Sequence, residues 1–345
     1  MSKDFIAQGL EIKENHPMTE NRPFLMLAPL QGFTDVVFRQ VYVRHFTGID
    51  QAMAPFISTM GSRHLKPSRL KDVAPDLNTA LPVIPQILGN NPEDFIYLGD
   101  YLFDMGYGQV NWNLGCPHSK IARKERGSGL LPHPDKIDVF LSRVIPAMKP
   151  SLSVKIRLGR HSKEEILDLI AVFNTHKLDE IILHPRTGEQ MYTGTADVDA
   201  FEKAMKACVH PMVYNGDIVD TASWEKVRHR LPAVRRFMIG RGILSNPFLP
   251  EQIKGLGAAD FPNNGNQVHE RLKCFHTDLF NSYKEVFSGP GHLIGRMKGF
   301  WSYLGPSFEN SRKPLKKLLK SNSEQDYLDR INEFWDMNLK FRPDR

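Results

Sequence analysis

The sequence predicts an α/β chain, a (β/α)8 or TIM barrel followed by a small C-terminal α-helical domain. Three observations carry that expectation. Over the first 260 of the 345 residues, eight short β-leaning apolar runs alternate with longer amphipathic stretches, the rhythm of a parallel barrel. Polar, glycine and proline residues gather just after those runs. Beyond a stretch rich in Gly, Asn and Pro, the pattern turns helical throughout. An open doubly wound sheet shares the alternation and is the structural rival.

The candidate strands, in order, are Phe24 to Pro29, Asp50 to Ala54, Val83 to Leu88, Gln109 to Asn113, Ser153 to Arg157, Glu180 to His184, Met212 to Asn215 and Arg236 to Gly240. The segments between them read as helices. Asn91-Pro92 is a helix cap followed by proline at the first helical position. Pro134 opens a run with Ile137, Phe140, Leu141 and Val144 on one face. Ser162 with Glu165 fits a capping box ahead of Ile166, Leu169, Ile170 and Phe173. The expected layout is a barrel over residues 1–254, a linker over 255–267 (GLGAADFPNNGNQ) and a helical domain over 268–345. In that last part Leu272, Phe275, Leu279, Phe280 and Tyr283 recur at helical spacing, and Ser288-Gly-Pro-Gly291 separates the first helix from the next.

Composition narrows the class. Hydrophobic residues make up 41% and charged residues 24%, which excludes wholesale disorder and collagen-like repeats. No uncharged apolar run approaches the roughly 18 residues that suggest a membrane span. Met1-Ser2-Lys3-Asp4 has no apolar run behind it, so no secretory leader is expected. Cys116, Cys208 and Cys274 make neither a disulfide framework nor a metal-ligand spacing, so free thiols in a reducing cytoplasm, and no metal, are expected. The net charge is +6. Arg296, Lys298, Arg312, Lys313, Lys316, Lys317 and Lys320 face only Glu309 between residues 296 and 320. On charge alone that row is either a solvated helix face or a track for phosphates.

The residues at the strand ends are unusual as a set. They include Ala28-Pro29-Leu30, Gln86, Asn113 with Gly115-Cys116-Pro117, Lys155, Arg157, His184-Pro185-Arg186, Asn215-Gly216-Asp217 and Gly240-Arg241-Gly242. In a (β/α)8 barrel that rim carries the active site. The last two groups resemble a phosphate site, where glycine lets backbone N–H groups approach an anion. Lys155 lies inside a strand, where a lysine needs a partner to offset desolvation. Gln86 and His184 can hydrogen-bond ring heteroatoms. Each of these, taken alone, also fits a solvated strand end. Cys116 sits in a rigid Gly-Cys-Pro loop. A thiol with its ordinary pKa of about 8.5 is mostly protonated at neutral pH, hence competent as an acid.

Together these segments resemble the dihydrouridine synthase family. The matching stretches are APLQGFTDVVFR (28–39), QILG (86–89), NWNLGCP (111–117), VKIRLG (154–159), HPRTGEQMYTG (184–194), NGDI (215–218) and GRGILSNP (240–247). The resemblance implies an FMN-bound barrel followed by a helical tRNA-binding domain. Such enzymes reduce uridine in tRNA to 5,6-dihydrouridine, with NADPH as reductant of the flavin. By resemblance, Ala28, Pro29 and Leu30 back the isoalloxazine, and Gln86, Lys155 and His184 bond its edge. Asn215, Gly216, Asp217, Gly240 and Arg241 hold the ribityl phosphate. Asn113, Arg157, Arg186 and Tyr192 meet the substrate uracil, and Cys116 is the proton donor to C5. Arg296, Lys298, Lys313, Lys316 and Lys317 are expected on tRNA phosphates, joined by Arg123, Lys124 and Arg126 after the Cys loop.

Two departures stand out. Pro185 occupies a place where most members have Gly or Ala, and it stiffens the loop that carries Arg186. The segment 116–131 is spaced like the bacterial B branch, whereas 289–304 is similar to the C branch, which acts on the 5′ side of the D-loop. Because the tail sets how tRNA is oriented, the C branch is the expectation. A monomer is expected. The same residues leave open ribosomal RNA as substrate, an FMN barrel acting on a small molecule, and an RNA-binding flavoprotein without activity.

Overall fold

The structure is a computed structural model that describes residues 22–61, 65–256 and 265–342. Its strands are β1 (Phe24–Leu27), β2 (Gln51–Met53), β3 (Ile57–Ser58), β4 (Val83–Ile84), β5 (Gln86–Leu88), β6 (Gln109–Leu114), β7 (Ser151–Arg157), β8 (Ile181–His184), β9 (Met212–Tyr214) and β10 (Arg236–Ile239). All pairings are parallel, in the order β3-β5-β6-β7-β8-β9-β10-β1-β2-β4. β4 and β5 are one stave interrupted at Pro85, which has no N–H to give a ladder. β4 pairs with β2 and β5 with β6, so the ring of eight staves closes. The rival open sheet is excluded.

In the order of the strands, two details differ from the sequence reading. The single strand expected over Val83 to Leu88 is split by Pro85. The two-residue β3 beside β5 was not anticipated, since it is too short to show a period.

Strand alternation explains how the barrel is filled. On β6, Val110, Trp112 and Leu114 face the surrounding helices, and Asn111 and Asn113 face inward. On β7, Leu152, Val154 and Ile156 face the helices, and Ser153, Lys155 and Arg157 face inward. Met26, Ala28, Met53, Ile84, Ile182, Val213 and Met238 form a separate apolar cluster inside the ring. One side of the interior is therefore greasy, and the β5 to β7 side is polar. That asymmetry gives the site its chemistry.

Helix starts follow the local sequence. Asn91 caps Pro92–Asp104 by accepting from the Asp94 N–H. Pro134 opens Pro134–Val144, which buries Ile137, Phe140, Leu141 and Val144. The box expected at Ser162 is only half formed. Glu165 does reach back to the N–H groups of Arg160, His161 and Ser162. The helix, however, begins at Glu165 itself, and the Ser162 hydroxyl turns to Glu164 instead.

The tail forms helices Gly265–Val286, Pro290–Leu304, Arg312–Leu318 and Glu324–Asp336. Leu272, Phe275, Leu279, Phe280 and Tyr283 are buried, and Gly289, in the left-handed region, breaks the first helix from the second. Of the expected linker, residues 257–264 lie outside the described residues, and Gly265–Gln267 belong to the helix rather than to the linker. Among the described residues no helix is long and apolar enough to cross a membrane. The N-terminal stretch read for a leader lies outside them.

The helical part joins the barrel through charged clamps as well as apolar surface. Asp35 caps helix Val36–His45 by accepting from Phe38 N–H, and also accepts from the Tyr283 hydroxyl (2.7 Å) and Arg296 Nη1 (2.6 Å). Arg271 donates to Glu251 and to the His45 carbonyl.

His276 lies at the centre of the helical part, 2.8 Å from the Tyr327 hydroxyl. Burial lowers its pKa from the ordinary 6.5 to about 3. The folded pKa is the lower one, so its contribution to stability is present above pH ~6.5 and is lost as pH falls, by about 1.4 kcal/mol per unit. We expect His276→Gln to lose less stability than the wild type between pH 7 and pH 5. Thermal melts at the two pH values check this, and equal losses in both proteins would refute it.

Candidate active site

The site is built where the polar inner faces of the strands meet the rim. β6 runs directly into the Cys loop. Asn113 Oδ1 accepts from the backbone N–H groups of Gly115 (3.1 Å) and Cys116 (2.9 Å). Its Nδ2 donates to Gln86 Oε1 at 2.8 Å. Gln86 in turn donates to Asn111 Oδ1, and Asn111 donates to Ser153 Oγ. A relay of amides therefore fixes the loop from below. Gly127, with φ +55°, closes it from the other side, because a Cβ there would lie 2.7 Å from the Cys116 carbonyl oxygen. The Ser128 N–H donates to that same carbonyl.

The Cys116 thiol faces a cavity of about 340 Å³, within the size range of small-molecule sites. Burial pushes its pKa up, outweighing the His118 N–H and the charges of Arg157 and Lys155, which pull it down. The thiol is thus protonated at neutral pH. Lys155 lies on the cavity wall and has no hydrogen bond or ion pair among the described residues. Desolvation, helped by repulsion from Arg157, lowers its pKa to about 7.

Arg157 is buried and lowered to about 10, chiefly by desolvation. It holds three carbonyls, those of Gly115, Thr187 and Met191, and so ties the Cys loop to the loop over 187–194. His184 Nδ1 lies 2.5 Å from the Asn215 carbonyl oxygen and Nε2 lies 3.3 Å from Arg186 Nη1. Those partners assign the neutral tautomer with the proton on Nδ1. Burial, then the charges of Arg157 and Lys155, keeps the ring pKa well below its usual value.

Asp217 organises the opposite end. It takes two hydrogen bonds from Arg186, one from Arg241 at 3.2 Å and one from the Ala196 N–H. Burial alone would raise its pKa, yet Arg186, Ala196 N–H and Arg241 together hold it below the ordinary value. Gly216 has no room for a side chain, since a Cβ would come within 2.8 Å of Ala196 and 3.2 Å of Pro185. Tyr192, half exposed on the 187–194 loop, has the guanidinium of Arg241 4.7 Å and that of Arg157 5.5 Å from its ring centre.

The structure thus brings Ala28, Pro29, Leu30, Asn113, Cys116, Lys155, Arg157, His184, Tyr192, Asn215, Gly216, Asp217, Gly240 and Arg241 onto one cavity. It does not bring Gln86 or Arg186 there. Gln86 is fully buried beneath Asn113, and Arg186 is buried with its guanidinium taken up by Asp217 and the carbonyls of Thr193 and Gly194. Both are braces in this arrangement. The Asn113 amide is likewise engaged at both ends. Sequence reasoning did not find Phe33, Phe56, Met238 or Tyr303, which also line the cavity. Phe33 lies inside a matching motif and could have been found; Tyr303 lies in the segment 289–304 noted for its branch likeness, but nothing local in that helix says that it reaches the barrel rim.

In charge, the cavity wall presents Lys155, Arg157 and Arg241 against the single carboxylate of Asp217, which Arg186 already engages. Such a surplus favours an anionic occupant. The family model described as "Dihydrouridine synthase (Dus)" matches residues 26–333. The chain belongs to the dihydrouridine synthase family. A probable tRNA-dihydrouridine synthase of Staphylococcus epidermidis is 31% identical over 70% of this chain and 75% of its own. The tRNA-dihydrouridine(16) synthase of Cupriavidus necator is 28% identical over 81% of this chain and 87% of its own. Among solved structures, histamine dehydrogenase from Rhizobium sp. 4-9 superposes with a TM-score of 0.52 at 9% identity, covering 73% of this chain and 49% of that one. A 2-naphthoyl-CoA reductase gives 0.50 at 11%, covering 66% and 49%. Those two likenesses are of fold alone.

This dihydrouridine synthase family member is accordingly an oxidoreductase. Its tail cations divide into two groups. Arg296 is engaged by Asp35, and Lys298 donates to the Ser321 carbonyl oxygen at 2.8 Å. Lys313, Lys316 and Lys317 are exposed on helix Arg312–Leu318, as are Arg123 and Lys124 beyond the Cys loop, whereas Arg126 donates to Asn90. Among the described residues no group of three or more His, Cys, Asp and Glu is placed to hold a metal ion.

Proposed function

We propose that this chain is an FMN-dependent tRNA-dihydrouridine synthase, reducing a D-loop uridine with NADPH as the source of reducing equivalents. The observation that carries the reading is a protonated, half-buried thiol facing a cavity whose cations outnumber its carboxylates. The cavity fits FMN in its donor set. Ala28, Pro29 and Leu30 offer a wall for a flat ring, Lys155 offers a polar contact at its edge, and His184, held by Asn215 and Arg186, lines the same wall. Gly216, Gly240 and Arg241 offer a narrow, cationic end for a phosphate. Bound FMN, once reduced, would supply the hydride that adds to C6 of uracil.

The residues of the chain do the rest. Arg157 holds the Cys loop and the 187–194 loop together, so a base entering between them meets the thiol of Cys116. Cys116 donates its proton to C5, completing the addition of two hydrogens across the bond. Lys155, close to half protonated near neutral pH, gains its full charge beside an anion. Tyr192 and the rim receive the base, which must leave its stack to arrive there; a loop uridine does so at lower cost than a paired one.

We assign residues 1–254 to the catalytic barrel and 268–345 to a helical part that holds tRNA through Lys313, Lys316 and Lys317. The chain is taken to act as a monomer. The likeness to a relative named for position 16 supports a target on the 5′ side of the D-loop.

The test is nucleoside mass spectrometry of unmodified tRNA incubated with the protein, FMN and NADPH. A gain of two hydrogens on uridine, mapped by fragment digestion, is the expected result. No gain, from protein that still binds FMN and oxidises NADPH, would overturn the tRNA assignment in favour of ribosomal RNA or a small molecule.

A further inference from the structure

Tyr303 is the one aromatic side chain of the helical tail among the described residues that line the catalytic cavity. It lies near the end of helix Pro290–Leu304. Its position is set by a contact with the turn after β1. Phe33 of that turn packs edge-on against Tyr303 (5.2 Å between ring centres) and against Phe300 (5.5 Å). Gly299 completes the seat, since a Cβ there would lie 3.2 Å from the Phe33 ring. Two residues further along the same turn, Asp35 is held by Arg296 and Tyr283. The turn and the helix therefore behave as one wall.

The tyrosine itself is half buried. Its ring is packed, while its hydroxyl has no hydrogen-bond partner among the described residues. The hydroxyls of Tyr42, Tyr107 and Tyr283, by contrast, all donate to protein oxygens. A packed ring with a free phenol at a cavity edge suits contact with a polar ligand. The polar groups offered to the cofactor ring come from the strand ends, at Lys155 and His184. Tyr303 instead comes from a helix outside the barrel, on the rim, in the same segment that carries the exposed lysines. It meets what enters from solvent.

We propose that Tyr303 is a substrate-contacting residue, its hydroxyl hydrogen-bonding the nucleotide that occupies the cavity, so that the helical tail contributes directly to the reaction site. This rests on the tRNA-dihydrouridine synthase reading above. It makes the tail part of the active site as well as a grip on distant phosphates.

The experiment compares wild type, Tyr303→Phe and Tyr303→Ala in steady-state reduction of unmodified tRNA, with bound flavin measured by absorbance and Tm as the check on folding. Tyr303→Phe keeps the ring and its packing on Phe33, and loses only the hydroxyl. The expected result is about a fivefold fall in kcat/KM for tRNA in Tyr303→Phe, the factor that one neutral hydrogen bond supplies, with flavin content and Tm retained. Tyr303→Ala should fall further. Unchanged kcat/KM in Tyr303→Phe would overturn the proposal, and so would loss of flavin, which would place the hydroxyl on the cofactor. A wild type that reduces no tRNA uridine would overturn the functional reading, and this inference with it.

Discussion

Cys116→Ala will lower uridine reduction by about a thousandfold while the protein stays yellow, in the middle of the range that a positioned general acid contributes. The thiol faces the cavity and is kept protonated by burial, so the substitution removes a proton donor and leaves the remaining walls in place. The loop does not depend on the thiol for its shape. Asn113 holds the backbone N–H of residue 116, and Ser128 holds its carbonyl. Single-turnover reoxidation of the reduced protein by tRNA gives the rate of the chemical step. Loss of flavin, or a rate equal to wild type, would show that the thiol does something else. The direction of the pKa shift adds a second readout. The acid form is the active one and its pKa is raised, so the wild-type rate should hold through the ordinary thiol range and decline only at more alkaline pH.

The second large effect concerns RNA binding. Lys313→Gln, Lys316→Gln and Lys317→Gln combined should weaken tRNA binding about 100-fold near physiological salt. Each phosphate contact contributes roughly 0.7 to 0.9 to the slope of log affinity against log salt. The same variant should therefore show a slope shallower by about 2 to 3. Because these side chains are exposed on helix Arg312–Leu318, Tm should not move. Filter binding at several salt concentrations measures both quantities. An unchanged slope would take these lysines off the phosphates.

Much of this was readable before the structure. The eight staves, the cap at Asn91, the helix start at Pro134 and the buried face of the first tail helix follow from periodicity and helix-start signals, which are local. The gathering of Cys116, Lys155, His184 and Asp217 on one rim follows from strand ends in a barrel. What escaped was decided by partners far along the chain. Gln86 and Arg186 look like ligand contacts in sequence, yet the inward alternation puts Gln86 under Asn113, and Asp217 claims Arg186. Arg296 counts as one more cation in a basic row until Asp35, 261 residues away, is seen to pair with it. The break at Pro85 is local and legible, a proline inside a strand with no N–H for the ladder.

The clamp at Asp35 bears on how such proteins can be recombined. One carboxylate serves as the N-terminal cap of the barrel's first helix and as the anchor for Tyr283 and Arg296 of the tail. A chimera that grafts a foreign tail at the apparent boundary near residue 260 would strip that carboxylate of its cation and leave Phe33 without its seat. The exchangeable module is thus discontinuous, with the tail and the turn over residues 33–35 travelling together. Alteration of RNA preference by tail replacement should be designed around that composite unit.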